Sequence, residues 1–141
     1  GTYGLRAAGL TAVLRRIEGA FIAGYDPSHQ DSSFRLRPPA VGVARDTLSD
    51  HPTASERLGR VRALIEECGT PDTLELLATV GWLTRHDAQA RRRPEAVVRA
   101  VQDWSRRKAE RFAPAQIAAA WQRLHRHEWI GPGHPAGPEQ P

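Results

Sequence analysis

The residues able to do covalent or metal chemistry are few and poorly spaced for it. The histidines are His29, His51, His86, His125, His127 and His134, and a helical metal site wants two ligands on one face, as an i, i+4 pair supplies. His125 and His127 stand two apart on an expected helix and point in different directions. Glu66 and Glu67 are neighbours, and adjacent carboxylates on a helix diverge instead of converging on one proton. Cys68 is the single cysteine, which excludes an internal disulfide and a cysteine-based zinc cluster; beside Gly69 it reads as a small buried hydrophobe at a helix end. No glycine-rich phosphate loop, nucleophile elbow or His-Glu-x-x-His is present. The expectation from these residues is a chain that is not an enzyme and needs no metal or cofactor.

Recognition chemistry is better represented. The tryptophans Trp82, Trp104, Trp121 and Trp129 each follow an apolar helical face, so core packing is their default and a partly exposed Trp82 or Trp104 is the functional alternative. The net charge is +4 with a pI near 10.2, and Lys108 is the only lysine among 20 basic residues. An arginine bias of that kind, with abundant Ala, Gly and Pro, fits a GC-rich genome as well as a nucleic-acid partner. The charge is segregated along the chain. Seven acids, Asp46, Asp50, Glu56, Glu66, Glu67, Asp72 and Glu75, lie in the middle, and the stretch from Arg85 to Arg126 is strongly basic. Two readings follow: surfaces of opposite sign that partly neutralise each other in the fold, or a bipolar surface that orients a partner.

These side chains need helices to position them. Leu10, Val13, Leu14, Ile17 and Phe21 recur at three- and four-residue intervals and predict a helix over 5–19. Residues 24–33 are turn formers, and 33–37 alternate apolar and polar as a short strand that Pro38 and Pro39 end. Thr53-Ala54-Ser55-Glu56 reads as a capping box for a helix closed by Gly69. Thr70-Pro71 opens the next, whose run from Leu74 to Leu83 is nearly all apolar and so predicts the central helix. Pro94 opens a helix that continues into the basic Ser105-Arg106-Arg107-Lys108, and Pro114 opens the last. Residues 132–141 have nothing to bury and predict a disordered tail. The fold class expected is mainly α, a helical domain with a small β-element in the N-terminal third. Its parts are an N-terminal region over 1–50, a helical domain over 51–130 and the tail. No apolar run approaches the roughly 20 residues of a membrane span, so a cytoplasmic protein without a membrane partner is expected.

One set of residues resembles a known family. The run from Glu75 through Leu76, Leu77, Ala78, Thr79, Val80 and Gly81 to Trp82 and Leu83, preceded by Gly69-Thr70-Pro71, is followed by Trp104-Ser105-Arg106-Arg107-Lys108, by the segment from Ile117 to Leu124, and by Glu128-Trp129-Ile130. In that order they resemble the C-terminal domain of DarG, the antitoxin of DarT/DarG toxin–antitoxin systems. Gly1-Thr2-Tyr3-Gly4 and Glu18-Gly19-Ala20-Phe21 are similar to the region before it. The resemblance implies a module that binds a DarT-like ADP-ribosyltransferase toxin, an enzyme that modifies thymidine in single-stranded DNA using NAD. It also implies that the DNA or NAD groove of that toxin is covered by a mimic of single-stranded DNA. The family's catalytic macrodomain has no counterpart in these residues.

A mimic of nucleic acid must present acid, because a DNA-binding groove is basic. The expected partner-binding residues are therefore Glu66, Glu67, Thr70, Asp72 and Glu75, with Trp82 and Trp104 as anchors beside Arg106, Arg107 and Lys108. A second reading is a regulator that binds operator DNA through Arg91-Arg92-Arg93 and Arg106-Arg107-Lys108, with the N-terminal segment as a remnant winged helix. A third is a helical domain that dimerises through the Trp121 face.

Overall fold

The structure, a computed structural model, describes residues 9–29 and 33–131. It is mainly α. The described residues form eight helices, α1 (Leu10–Ile17), α2 (Pro38–Ser49), α3 (Pro52–Ile65), α4 (Pro71–His86), α5 (Ala88–Arg92), α6 (Pro94–Trp104), α7 (Arg106–Arg111) and α8 (Pro114–Arg126), with two short strands, β1 (Ile22–Ala23) and β2 (Arg35–Leu36). The strands pair antiparallel, Ile22 opposite Leu36 and Ala23 opposite Arg35. Internal contacts divide the chain into one unit of Arg6–Gly59 and another of Gly1–Leu5 with Arg60–Pro141. Among the described residues no helix is long and apolar enough to cross a membrane.

Proline sets the register of the helices. Pro38, Pro52, Pro71, Pro94 and Pro114 each stand first in a helix, where the fixed φ suits the turn and the missing amide would have been unsatisfied anyway. This explains two departures from the sequence reading. Pro38-Pro39 end β2 but also start α2, a helix that the residues alone had left unassigned. The helix expected to be capped at Thr53, and so to begin at Ala54, starts two residues earlier at Pro52, so Thr53 lies inside its first turn and the capping box is not used. It also ends earlier, at Ile65, with Glu66 and Glu67 in the turn that follows.

The Arg60–Pro141 unit carries the larger core. Val80, Val97, Val101 and Ile117 are fully buried, contributed by α4, α6 and α8. Each buried side chain of that size is worth about 1.5–3 kcal/mol. The short α5, not foreseen, exists because Asp87 accepts hydrogen bonds from the Gln89 and Ala90 amides at 2.7 and 3.3 Å, and the Trp121 indole then donates to the Ala90 carbonyl at 2.8 Å. At the far end Glu128 adopts a left-handed φ of 58°. That turn lets Trp129 donate to the Leu124 carbonyl at 2.9 Å and sends Ile130 into the core.

Two expectations are corrected by burial. The central helix α4 is not buried all round: Leu76, Leu77, Val80 and Leu83 face the core, whereas Leu74 and Trp82 stand exposed. The amphipathic α1 contributes no buried residue; its described span is shorter than the 5–19 expected, and residues 5–8 lie outside the described residues. The expected tail at 132–141 and the Gly1-Thr2-Tyr3-Gly4 match also lie outside them.

Candidate functional site

The helical period assembles a stripe on α4. Asp72, Glu75, Thr79, Trp82 and His86 are separated by three, four, three and four residues, which places them one above another along a single face. The lower half of the stripe meets α7. Arg111 donates to both carboxylates, to Asp72 through Nη2 and to Glu75 at 2.9 Å through Nη1. Lys108, three residues earlier on α7, donates to Glu75 Oε1 at 2.9 Å and to Thr79 Oγ1 at 3.0 Å. Thr79 in turn donates to the Glu75 carbonyl. The Lys108 bond, assisted by the charges of Lys108 and Arg111, holds the Glu75 carboxyl below its ordinary value.

The upper half is aromatic. Trp82 is 40% exposed, with His86 stacked on it at 4.2 Å and Trp104 edge-on at 5.1 Å. Trp104 lies 5.8 Å from the Lys108 ammonium, so the two halves of the stripe join there.

Below the stripe is a cavity of about 330 Å³, lined on its polar side by Thr70, Asp72, Arg111 and Arg123 and on its apolar side by Leu76 and Phe112. Thr70 caps α4, its hydroxyl accepting from the Thr73 amide at 3.2 Å. Glu67 reaches the rim through Arg123 at 3.3 Å and Arg126 at 3.5 Å.

Of the residues expected to bind a partner, Thr70 and Asp72 line this cavity, Glu67 and Glu75 pair with its arginines Arg123 and Arg111, and Trp82 packs with Trp104 in the upper half of the stripe. Glu66 sits apart, paired with Arg62 at 3.0 Å, and Arg106 is held by Glu110 at 2.8 Å. Arg107 is exposed on α7. Lys108 is corrected: it is 5% exposed with its ammonium on Glu75 and Thr79, so it presents no charge to a partner. The segregated charge of the sequence resolves in the fold as pairs between separate elements, Glu67 in the turn after α3 with Arg123 and Arg126, Asp72 and Glu75 with Arg111, Glu75 with Lys108. Acid and base therefore neutralise each other along this face.

The basic clusters of the operator-DNA reading are engaged in part: Arg91, Arg106 and Lys108 have partners within the fold, whereas Arg92, Arg93 and Arg107 are exposed. Arg91 donates to the Thr84 and Arg85 carbonyls at 2.9 and 3.2 Å, where it satisfies the last turn of α4. Arg111 and Arg123 were not singled out from the sequence. Their signal was present in the three-residue step from Lys108 to Arg111, which matches the step from Asp72 to Glu75. Among the described residues no group of three or more His, Cys, Asp or Glu is placed to hold a metal ion.

No protein-family model matches the chain, and no solved structure matches it. Over 107 residues, 76% of its length, the chain is 37% identical to a DNA ADP-ribosyl glycohydrolase of Thermus aquaticus, and it spans 29% of that protein. That relative is an enzyme by name, which overturns the expectation, drawn from the absence of a catalytic set, that the chain is not one. The similarity agrees with the resemblance drawn from the motifs in its coarser part: the chain is related to a DarG-like DNA ADP-ribosyl glycohydrolase.

Proposed function

We propose that the chain serves to neutralise a DarT-like ADP-ribosyltransferase toxin by binding it directly and covering its DNA or NAD groove. The observation that carries the reading is the similarity to a protein named for removing ADP-ribose from DNA, which supports a role against the enzyme that puts it there. The α4 stripe supplies the surface, within the helical region over 51–130. Trp82 is a ready anchor, because exposed tryptophans beside charged rims are the side chains that dominate interface energies. Glu67 and Asp72 supply carboxylates to the basic walls of a DNA groove. Because each already has an arginine partner, binding exchanges internal pairs for external ones, and recognition rests on shape and the aromatic anchor more than on net charge.

The test is calorimetry of the chain with a catalytically inactivated transferase of this type. A complex is expected, weakened about tenfold or more by Trp82→Ala and weakened also by Glu67→Ala combined with Asp72→Ala. The same preparations are assayed for release of ADP-ribose from modified DNA, since the relative is named for that reaction. Absence of a complex, or a complex indifferent to both variants, overturns the proposal. Binding to duplex DNA that falls steeply with salt supports the operator reading in its place.

A further inference from the structure

Lys108 is the single lysine of the chain, and with its ammonium turned inward the proposed function leaves it without a role. Its surroundings supply one. The ammonium meets two acceptors on α4, Glu75 Oε1 at 2.9 Å and Thr79 Oγ1 at 3.0 Å. It also lies 5.8 Å from the centre of each of two rings, Trp104 at the end of α6 and Phe112 just past α7. Trp104 in turn stands edge-on to Trp82 at 5.1 Å. A chain of contacts therefore runs from a buried cation to an exposed indole.

Each contact restricts the next. A lysine stem in water samples many rotamers, whereas an ammonium held by two acceptors at hydrogen-bond distance confines the stem to few. Those acceptors are themselves fixed. Glu75 gives its other oxygen to Arg111 at 2.9 Å, and Thr79, 1% exposed, donates to the Glu75 backbone carbonyl at 2.8 Å. The Lys108 amide donates to the Ser105 hydroxyl at 3.2 Å, which ties down the backbone joining Trp104 to the lysine. A cation within about 6 Å of an indole attracts it, so Trp104 rests against a charge that is held in place. Of the two rings beside Trp82, His86 is exposed and Trp104 is packed against the core. Trp104 is the one that fixes Trp82 to the fold.

We propose that Lys108 is a positioning residue for the Trp82 anchor: it touches no partner itself, and it acts by pinning Trp104 so that the Trp82 ring is presented in one orientation. Pre-ordering of that kind lowers the entropy lost when a partner closes on the ring. The consequence for a partner rests on the reading of the α4 stripe as a toxin-binding surface, whereas the pinning of the two indoles does not and is measured on the chain alone.

The experiment uses the full chain and Lys108→Met, which keeps the length of the stem and drops the ammonium. Two indoles in edge contact couple electronically and give a paired band in far-ultraviolet circular dichroism whose intensity follows their mutual orientation; Trp82→Phe identifies that band by removing it. In Lys108→Met the band should collapse toward the Trp82→Phe spectrum while a cooperative urea transition shows the fold is kept. Thr79→Val, which removes one acceptor and keeps the lysine, should weaken the band in the same direction and decides the matter should Lys108→Met not fold. Calorimetry with the inactivated transferase should find Lys108→Met about threefold to tenfold weaker than the wild-type chain, the factor for one side chain left to be ordered on binding. In a Trp82→Ala background the same change should have no further effect. An unchanged band, an unchanged affinity, or a loss that persists undiminished without Trp82 overturns the role given to Lys108 alone. Absence of any complex with the wild-type chain overturns the toxin reading and that role with it.

Discussion

The contact between Glu75 and Lys108 predicts a stability asymmetry that a simple count of ion pairs does not. Lys108 is nearly enclosed, with its ammonium on Glu75 and Thr79 and the Trp104 and Phe112 rings each 5.8 Å away. Glu75 has a side chain 35% exposed and keeps Arg111 at 2.9 Å whatever happens to the lysine. Glu75→Gln therefore strands a buried cation. Removing one partner of a fully buried pair costs about 3–5 kcal/mol, and water at Glu75 together with the remaining Thr79 and amide contacts reduces that here to about 2–3 kcal/mol. Lys108→Met places an apolar chain of similar length between two rings and leaves Glu75 paired and hydrated, so its cost is under about 1 kcal/mol. The double variant should match Lys108→Met alone. Urea unfolding followed by tryptophan fluorescence reads this directly, because all four tryptophans lie in the Arg60–Pro141 unit. With a slope of about 1–2 kcal/mol per molar urea, the midpoint falls by about 1–3 M for Glu75→Gln and by under about 1 M for Lys108→Met. If Lys108→Met is as destabilising as Glu75→Gln, the desolvation reasoning is wrong.

The same network sets an acid limit. The folded-state pKa of Glu75 is lowered from its ordinary value near 4.5, so its contribution is complete above that value and is lost as pH falls through the lower folded value. The urea midpoint should decline below about pH 4.5, and less steeply in Glu75→Gln. Asp87→Ala removes the acceptor for the first amides of α5 and should cost about 1 kcal/mol by the same assay. Glu128→Gly relieves a left-handed φ without touching the backbone carbonyl that Arg60 contacts at 3.4 Å, and should raise the midpoint by an amount equivalent to up to about 1 kcal/mol. Ile117→Ala in the centre of the core should cost about 2–5 kcal/mol, whereas Arg106→Ala, which breaks a solvated i, i+4 pair, should leave the midpoint within error.

Much of the helical unit was legible because its signals are local. Proline at the first turn and threonine at the cap announce α4 from Thr70-Pro71 without reference to the rest of the chain, and Pro94 and Pro114 do the same for α6 and α8. The failures have one physical origin, competition between local signals. A capping box at Thr53 loses to Pro52 one residue earlier, and Pro38-Pro39 both end a strand and begin a helix. Side-chain roles were less legible because they are settled between helices. Lys108 reads as one member of a basic run until α7 packs against α4. Then its neighbours Arg106 and Arg107 remain in water while it faces Glu75. The charge segregation was visible in the sequence, but its outcome depended on which helices meet, and that is long-range information. Trp82 was picked out by residue type; its place on one stripe with Asp72 and Glu75 was a spacing that was there to be read, whereas its exposure, unlike that of buried Thr79 on the same stripe, was settled by the packing.

The central proposal is that the α4 face covers a nucleic-acid groove on a transferase, and a competition measurement reaches it most directly. A labelled single-stranded DNA oligonucleotide is bound to the inactivated transferase and the unlabelled chain is added. Stoichiometric release of the oligonucleotide, lost together with binding in Trp82→Ala, is the result expected. An oligonucleotide that stays bound while the chain is present in saturating excess contradicts the account.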